Sequence, residues 1–171
     1  MLDSSNKNER ISIISQLTKI ENKKIIEKII SLLDDDDIMI RGEVFSTLVL
    51  NENDISKNLI HNLKNKSKNI RAFCSLILAN RNDTNGIKHI AKLTDDPSSI
   101  VRSCAFGALG HLRASNIRQR IHQGIFDPNA EVKKSAAHAL NLINEKFSNE
   151  EKSELEKQND PDFEKILNNF N

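Results

Sequence analysis

The chain has 171 residues, 37% of them hydrophobic and 29% charged, with a formal net charge of +1. Those proportions exclude a disordered tail, and only five Gly and three Pro argue against sandwiches and barrels with many tight turns. Two Cys exclude a disulfide framework and point to a reducing, cytoplasmic setting, and no apolar run approaches the roughly 18 residues of a membrane-spanning helix.

In chain order, the polar stretch from Met1 to Arg10 does not read as a secretory signal. Arg10, Ile13 and Leu17 open a weak copy of a pattern that then recurs. Ile25, Ile26 and Ile29 mark a first helix, and Asp34 to Asp37 follow as four consecutive carboxylates. Asp35 is placed to cap the next helix, with Asp36 and Asp37 favourable in its first turn. The run lacks the spaced ligands and the Gly of a calcium loop, so no metal is expected there.

Four segments then align: Asp35 to Leu48, Asn65 to Leu78, Asp96 to Leu109 and Asp127 to Leu140, at a period of about 30–31 residues. One column reads Ile40, Ile70, Val101, Val132. The next reads Arg41, Arg71, Arg102, Lys133. Val44, Cys74, Ala105 and Ala136 follow four residues after the first column, and Leu48, Leu78, Leu109 and Leu140 four further on. Positions i, i+4 and i+8 share one helix face, so each segment predicts an amphipathic helix. Asp96-Pro97 and Asp127-Pro128 predict an N-cap carboxylate followed by Pro at the first helical position, with Asp35 and Asn65 in the same column.

A second series of helices precedes these, anchored at Ile29, Leu59, Ile90 and Ile121, with Ile55, Ile87 and Ile117 one turn earlier. Polar breaks open them at Asn51 to Asp54, Arg81 to Gly86 and Ala114 to Asn116. The unit is helix, turn, helix. Neither helix buries its stripe alone, so the pairs must stack. The expected fold is all-α, a right-handed α-solenoid of helical hairpins, with residues 1–147 as the array. Residues 148–171 are expected to form a C-terminal cap within one domain. Ser148 and Glu151 have capping-box spacing. Asp160-Pro161 begins a last helix, with Phe163, Ile166, Leu167 and Phe170 on one face.

These segments resemble HEAT repeats, in particular the short HEAT-like class first named from phycobilisome lyases. The matching stretches are DDDDIMIRGEVFSTLVL (Asp34 to Leu50), DDPSSIVRSCAFGALGHL (Asp95 to Leu112) and DPNAEVKKSAAHALNLI (Asp127 to Ile143). The resemblance implies that the cap residue and the basic residue six positions later are structural, the basic residue reaching a neighbouring cap carboxylate so that the pairs form a ladder along the second helices. The pairs are Asp35/Arg41, Asp96/Arg102 and Asp127/Lys133. The second repeat departs, with Asn65 before Arg71, and this predicts that the Arg71 guanidinium is the less neutralised one. Lys133 lacks the bidentate geometry of Arg. Gly107 and Gly110, inside a helical pattern, are read as close packing with neighbours, and the resemblance, whose helices often end in Leu-Gly, accounts for Gly110.

Catalytic constellations are missing. The chain has no His-Glu dipeptide of the kind that di-iron hydroxylases of this resemblance carry, and no Trp, which the related DNA glycosylases are expected to use. His61, His89, His111, His122 and His138 show no metal-ligand spacing. Cys74 falls in the buried column, and Cys104 has no His near it in sequence to activate it. No cofactor or metal is expected, and the chain is read as a non-enzyme.

Charge is unevenly spread. Residues 1–56 carry −4, residues 57–135 carry +9 from 14 basic and 5 acidic side chains, and residues 136–171 carry −4. The leading expectation is a scaffold that binds a protein partner through its second helices, with Arg71, His111, Arg113, Lys134 and His138 as contact residues. The alternatives are nucleic acid or another polyanion on the basic middle repeats, and a lyase-like or accessory enzyme subunit.

Overall fold

The computed structural model describes residues 6–168. Among them are eleven α-helices and no strand. Contacts divide the chain into two compact units, Met1–Gly86 and Ile87–Asn171. The first unit holds α1 (Lys7–Ser15), α2 (Lys23–Ser31), α3 (Ile38–Leu50), α4 (Ser56–Asn62) and α5 (Lys68–Asn80). The second holds α6 (Ile87–Ile90), α7 (Ser99–His111), α8 (Arg118–Gln123), α9 (Ala130–Leu142), α10 (Asn149–Glu156) and α11 (Pro161–Asn168).

The repeat sets the second helix of each pair. α3, α5, α7 and α9 are all 13 residues long. Ile40, Val101 and Val132 are 0% exposed and Ile70 is 6%. Val44, Cys74, Ala105, Ala136 and the four Leu of the last column are buried with them. Each fully buried aliphatic side chain contributes roughly 1.5–3 kcal/mol. The first helices are shorter, and three run on into 3₁₀ turns, at Leu32–Asp34, Ala91–Asp95 and Gly124–Phe126. Their anchors Ile29, Leu59, Ile90 and Ile121 are all 0% exposed.

The cap column lies two residues later than the sequence suggests. The N-caps of α3, α5, α7 and α9 are Asp37, Ser67, Ser98 and Asn129, and Asn6 caps α1 one period upstream. Asp35, Asn65, Asp96 and Asp127 instead accept the N–H two residues on, at 3.0, 3.0, 2.9 and 2.9 Å. Each therefore closes an Asx turn that leads into the helix rather than capping it. Pro97 and Pro128 precede the caps and are not the first helical residues.

In the first unit α3 packs between α1 and α5, and α2 and α4 lie behind them. Arg81, just after α5, closes the end of α3. Its Nη1 donates to the carbonyls of Leu48, Val49 and Asn51 at 3.0, 3.2 and 2.6 Å, and its Nη2 to Asn53 at 2.8 Å. Those carbonyls have no partner within the helix, so the guanidinium supplies a C-cap from the next repeat.

In the second unit α7 lies along α9. A Cβ at Gly110 would stand 2.6 Å from Ala139 Cα, so only glycine lets the two backbones approach this closely. Gly107 differs from the expectation of close packing, because a Cβ there meets nothing within 4 Å. It lies on the open side of α7.

The C-terminal helices pack on the last repeat. Ser148 caps α10 in a complete capping box with Glu151. α10 contacts the Gly124–Phe126 turn and α11 contacts α9. Phe163 and Ile166 are 1% and 2% exposed there, and Leu167 is half-buried. Phe170 lies outside the described residues.

Candidate binding surface

The basic column contacts the Asx turns of its own repeats and carboxylates further along the chain. The Arg six residues after each of the first three Asx turns donates to that turn's backbone carbonyl. Arg41 Nη1 reaches Asp35 O at 2.6 Å, Arg71 Nη1 reaches Asn65 O at 2.8 Å, and Arg102 Nη1 reaches Asp96 O at 2.9 Å. The carboxylate comes from one repeat further on. Arg102 Nε and Nη2 grip Asp127, 25 residues later, at 2.7 and 2.9 Å. Arg10 pairs with Asp35 at the same separation of 25 residues. Lys133 pairs with Glu154 of α10. Burial pushes the Asp127 carboxyl up, but the Arg102 guanidinium and the Asn129 N–H outweigh it and hold the group below its ordinary value. Asp35 is lowered in the same way against its own burial, by Arg10 and the Asp37 N–H.

This offset changes which repeat lacks a rung. Asn65 is the uncharged member of the carboxylate column, and the Arg one repeat before it is Arg41. Arg41 Nη1 binds the Asp35 and Asp36 carbonyls, at 2.6 and 3.1 Å. Its Nε and Nη2 have no hydrogen bond or ion pair among the described residues. With Asn65 in that column, Arg41 has no carboxylate partner among the described residues.

Arg41 also lines an apolar cleft between α3 and α5. The other lining residues are Ile38, Gly42, Phe45, Phe73 and Leu76, around a volume of about 360 Å³. The cleft is open at Gly42. A Cβ there meets nothing within 4 Å. The Phe45 and Phe73 rings lie edge to face with centroids 6.0 Å apart. In the second unit Ser103 occupies the column of Gly42, and its hydroxyl bonds Ser135 of α9 at 2.7 Å, bridging the two helices. Ile38, Met39 and Leu50 add exposed apolar area on α3, at 71%, 57% and 66% exposure.

The residues picked from sequence fall in different situations. His111, at the end of α7, and His138, on α9, are exposed. Arg113 has φ of 50°, in the left-handed region, and its Nη1 donates to Leu142 O at 2.9 Å. It closes the end of α9 much as Arg81 closes α3. Lys134 lies 3.1 Å from Asp162, 3.3 Å from Asp160 and 3.6 Å from Glu131, and 5.6 Å from the Phe163 ring centre. Asp162, then Asp160, hold its ammonium above the usual lysine range. Lys134 thus ties α9 to α11. Arg71 lies half-buried on α5, its guanidinium on the carbonyls of Asn65 and Lys66. Gly42, Phe45 and Phe73 were not among the candidates. The signal for them was Gly42 itself, in a column otherwise filled by Ala72, Ser103 and Lys134.

Much of the positive charge of residues 57–135 is also engaged internally. Arg102 and Lys133 hold the ladder, Arg118 pairs with Glu145, and Arg120 pairs with Asp95. Lys57, Lys64, Lys66, Lys68, Lys88 and Lys92 make no ion pair among the described residues.

His122 Nδ1 lies 2.5 Å from Glu151 Oε1, a contact not apparent in the sequence. Among the described residues no group of three or more His, Cys, Asp and Glu side chains is arranged to hold a metal. Burial pushes the Cys74 thiol far up, which suits a packing residue, and Cys104 is half-buried with its thiol also raised by burial. No helix among the described residues is long and apolar enough to cross a membrane.

No protein-family model matches the chain, and no curated protein matches it. Solved structures of designed repeat proteins do. The designed armadillo repeat protein YIII(Dq)4CqI is 19% identical over 99% of this chain and 97% of that one, with a TM-score of 0.57. The designed armadillo repeat protein YIII(Dq.V1)4CPAF in complex with the peptide (KR)4 is 19% identical over 99% of this chain and 96% of that one, with a TM-score of 0.58. At this identity the likeness concerns the fold: the chain is an all-α helical repeat solenoid, similar to armadillo repeat arrays.

Proposed function

We propose that the chain is a non-catalytic scaffold that binds a protein partner, as a peptide-like segment, on the exposed faces of its second helices. The observation that carries this reading is the apolar cleft between α3 and α5, walled by residues outside the buried stripe. An exposed apolar surface on a repeat array is where such proteins take up partners. A similar designed solenoid was solved with a bound peptide, which supports the same use of the fold here. Two helices per repeat of about 30–31 residues favour the HEAT-like version of the solenoid. His111 and His138 stay as contact candidates. Arg113 and Lys134 make internal contacts, so reversing their charge disturbs α9 and α11 before it tests any partner.

The test is selection of a random dodecapeptide display library on the full chain, followed by amide NMR mapping of an enriched peptide. Shifts concentrated on α3, α5, α7 and α9 support the proposal. No enrichment, or shifts confined to α2, α4, α6 and α8, overturns it.

A further inference from the structure

The α3–α5 cleft joins two features. One is an apolar floor of Phe45, Phe73 and Leu76, open at Gly42, where a Cβ meets nothing within 4 Å. The other is Arg41, whose Nη1 is fixed on the Asp35 and Asp36 carbonyls. That anchoring matches Arg102, whose Nη1 holds Asp96 O while Nε and Nη2 grip Asp127. In Arg41 the corresponding edge carries no carboxylate among the described residues, because Asn65 stands in the column that supplies one elsewhere.

The geometry points to a sequence-specific role for this cleft: it takes a partner segment with a large apolar side chain beside an Asp or Glu. The apolar side chain lies on Phe45 and Phe73. The partner's carboxylate closes on the Nε/Nη2 edge of Arg41, supplying from outside the rung that Asn65 does not. A planar guanidinium with one edge already anchored loses little freedom on binding, and it prefers a bidentate carboxylate. A cleft of about 360 Å³ has room for one or two such side chains.

The nearby acids do not reverse this preference. Asp35 is paired with Arg10 and Asp37 with Lys7, and Asp34 accepts a hydrogen bond from Asn69. Against Asp34, Asp36 and Glu43, which form no ion pair among the described residues, stand Arg41 and the equally unpaired Lys66, in the turn before α5, and Lys68, at its start.

This inference rests on the scaffold reading above, and its test separates the two. The probe is the dodecapeptide library, then the best enriched peptide and its counterpart with every Asp and Glu replaced by the amide, measured by fluorescence anisotropy. The expected enrichment is an apolar residue near an acidic one, with at least tenfold weaker binding of the amide peptide. Gly42→Leu fills the cleft where nothing opposes a Cβ, and is expected to weaken binding at least tenfold with thermal unfolding unimpaired. Arg41→Gln is expected to erase the difference between the acidic and amide peptides, which a merely structural arginine would not do. Equal binding of both peptides to the natural chain, or undiminished binding by Gly42→Leu, overturns the inference. If an enriched peptide then maps elsewhere on the second helices, the scaffold reading stands without it. If no peptide is enriched, both fall.

Discussion

Arg102 and Asp127 form a bidentate ion pair across one repeat, at 2.7 and 2.9 Å, with side chains only 15% and 10% exposed. The same guanidinium holds Asp96 O, and the same carboxylate accepts the Asn129 N–H at 2.9 Å. One arginine therefore ties the turns before α7 and α9 together. Stacking of the pairs thus rests on a directional contact as well as on apolar burial.

Asp127→Asn keeps the acceptor of the Asx turn and removes the charge. The expected cost is about 2 kcal/mol, since a hydrogen-bonded pair largely out of water loses one ion. Urea unfolding measures it. The natural pair also sets a pH dependence. Asp127 and Asp35 hold their protons less tightly folded than unfolded. Their contribution is complete above the ordinary Asp value of about 4 and drains away as the pH falls through the lowered folded values. Asp127→Asn is expected to flatten that acid limb.

Asn65→Asp should restore the missing rung. The Asx turn survives, because the acceptor toward the Ser67 N–H is retained, although the bond from Asn65 Nδ2 to Asn62 is lost. A double-mutant cycle with Arg41→Gln isolates the new pair. We expect a coupling of about 0.5–1 kcal/mol, the range of a partly exposed ion pair. Zero coupling means that the column equivalence with Asp127 does not extend to this repeat.

The glycines divide by what faces them. Gly42 and Gly107 meet nothing within 4 Å, so replacing either by Ala adds about 0.5–1 kcal/mol of stability through helix propensity. Gly110→Ala drives a methyl into the Ala139 backbone at 2.6 Å and should cost about 1–3 kcal/mol. Chemical denaturation of the three variants gives opposite signs for the two classes.

The helices were legible because their columns repeat: Leu48, Leu78, Leu109 and Leu140 need only a period to be found. The ladder was legible in its members but not in its pairing. Asp35 and Arg41 are close in sequence, and nothing along one strand of sequence says that Asp35 turns to Arg10 and Arg41 to a backbone carbonyl. That choice is made when neighbouring turns are brought side by side. The same step leaves Arg41 without a carboxylate among the described residues. The cleft leaves less trace in the sequence for another reason. Charged residues do not mark it; its informative feature is the absent side chain of Gly42 beside Phe45 and Phe73.

His122 and Glu151 offer a local test of how the C-terminal helices are held. Glu151 is 4% exposed and has two tasks: Oε2 accepts the Ser148 N–H at 2.7 Å to complete the capping box, and Oε1 lies 2.5 Å from His122 Nδ1. Replacing His122 by Ala leaves a buried carboxylate with one partner fewer, at a cost of about 1–3 kcal/mol. The loss should stay in α10 and α11, because the rest of the second unit keeps its own contacts. Hydrogen exchange is expected to speed up about tenfold or more across α10, while α3 and α5 keep their protection. His122→Gln, which retains a donor, should restore part of it. Unchanged exchange in α10 would show that Leu155 burial and the Lys133–Glu154 pair hold the helix without the histidine.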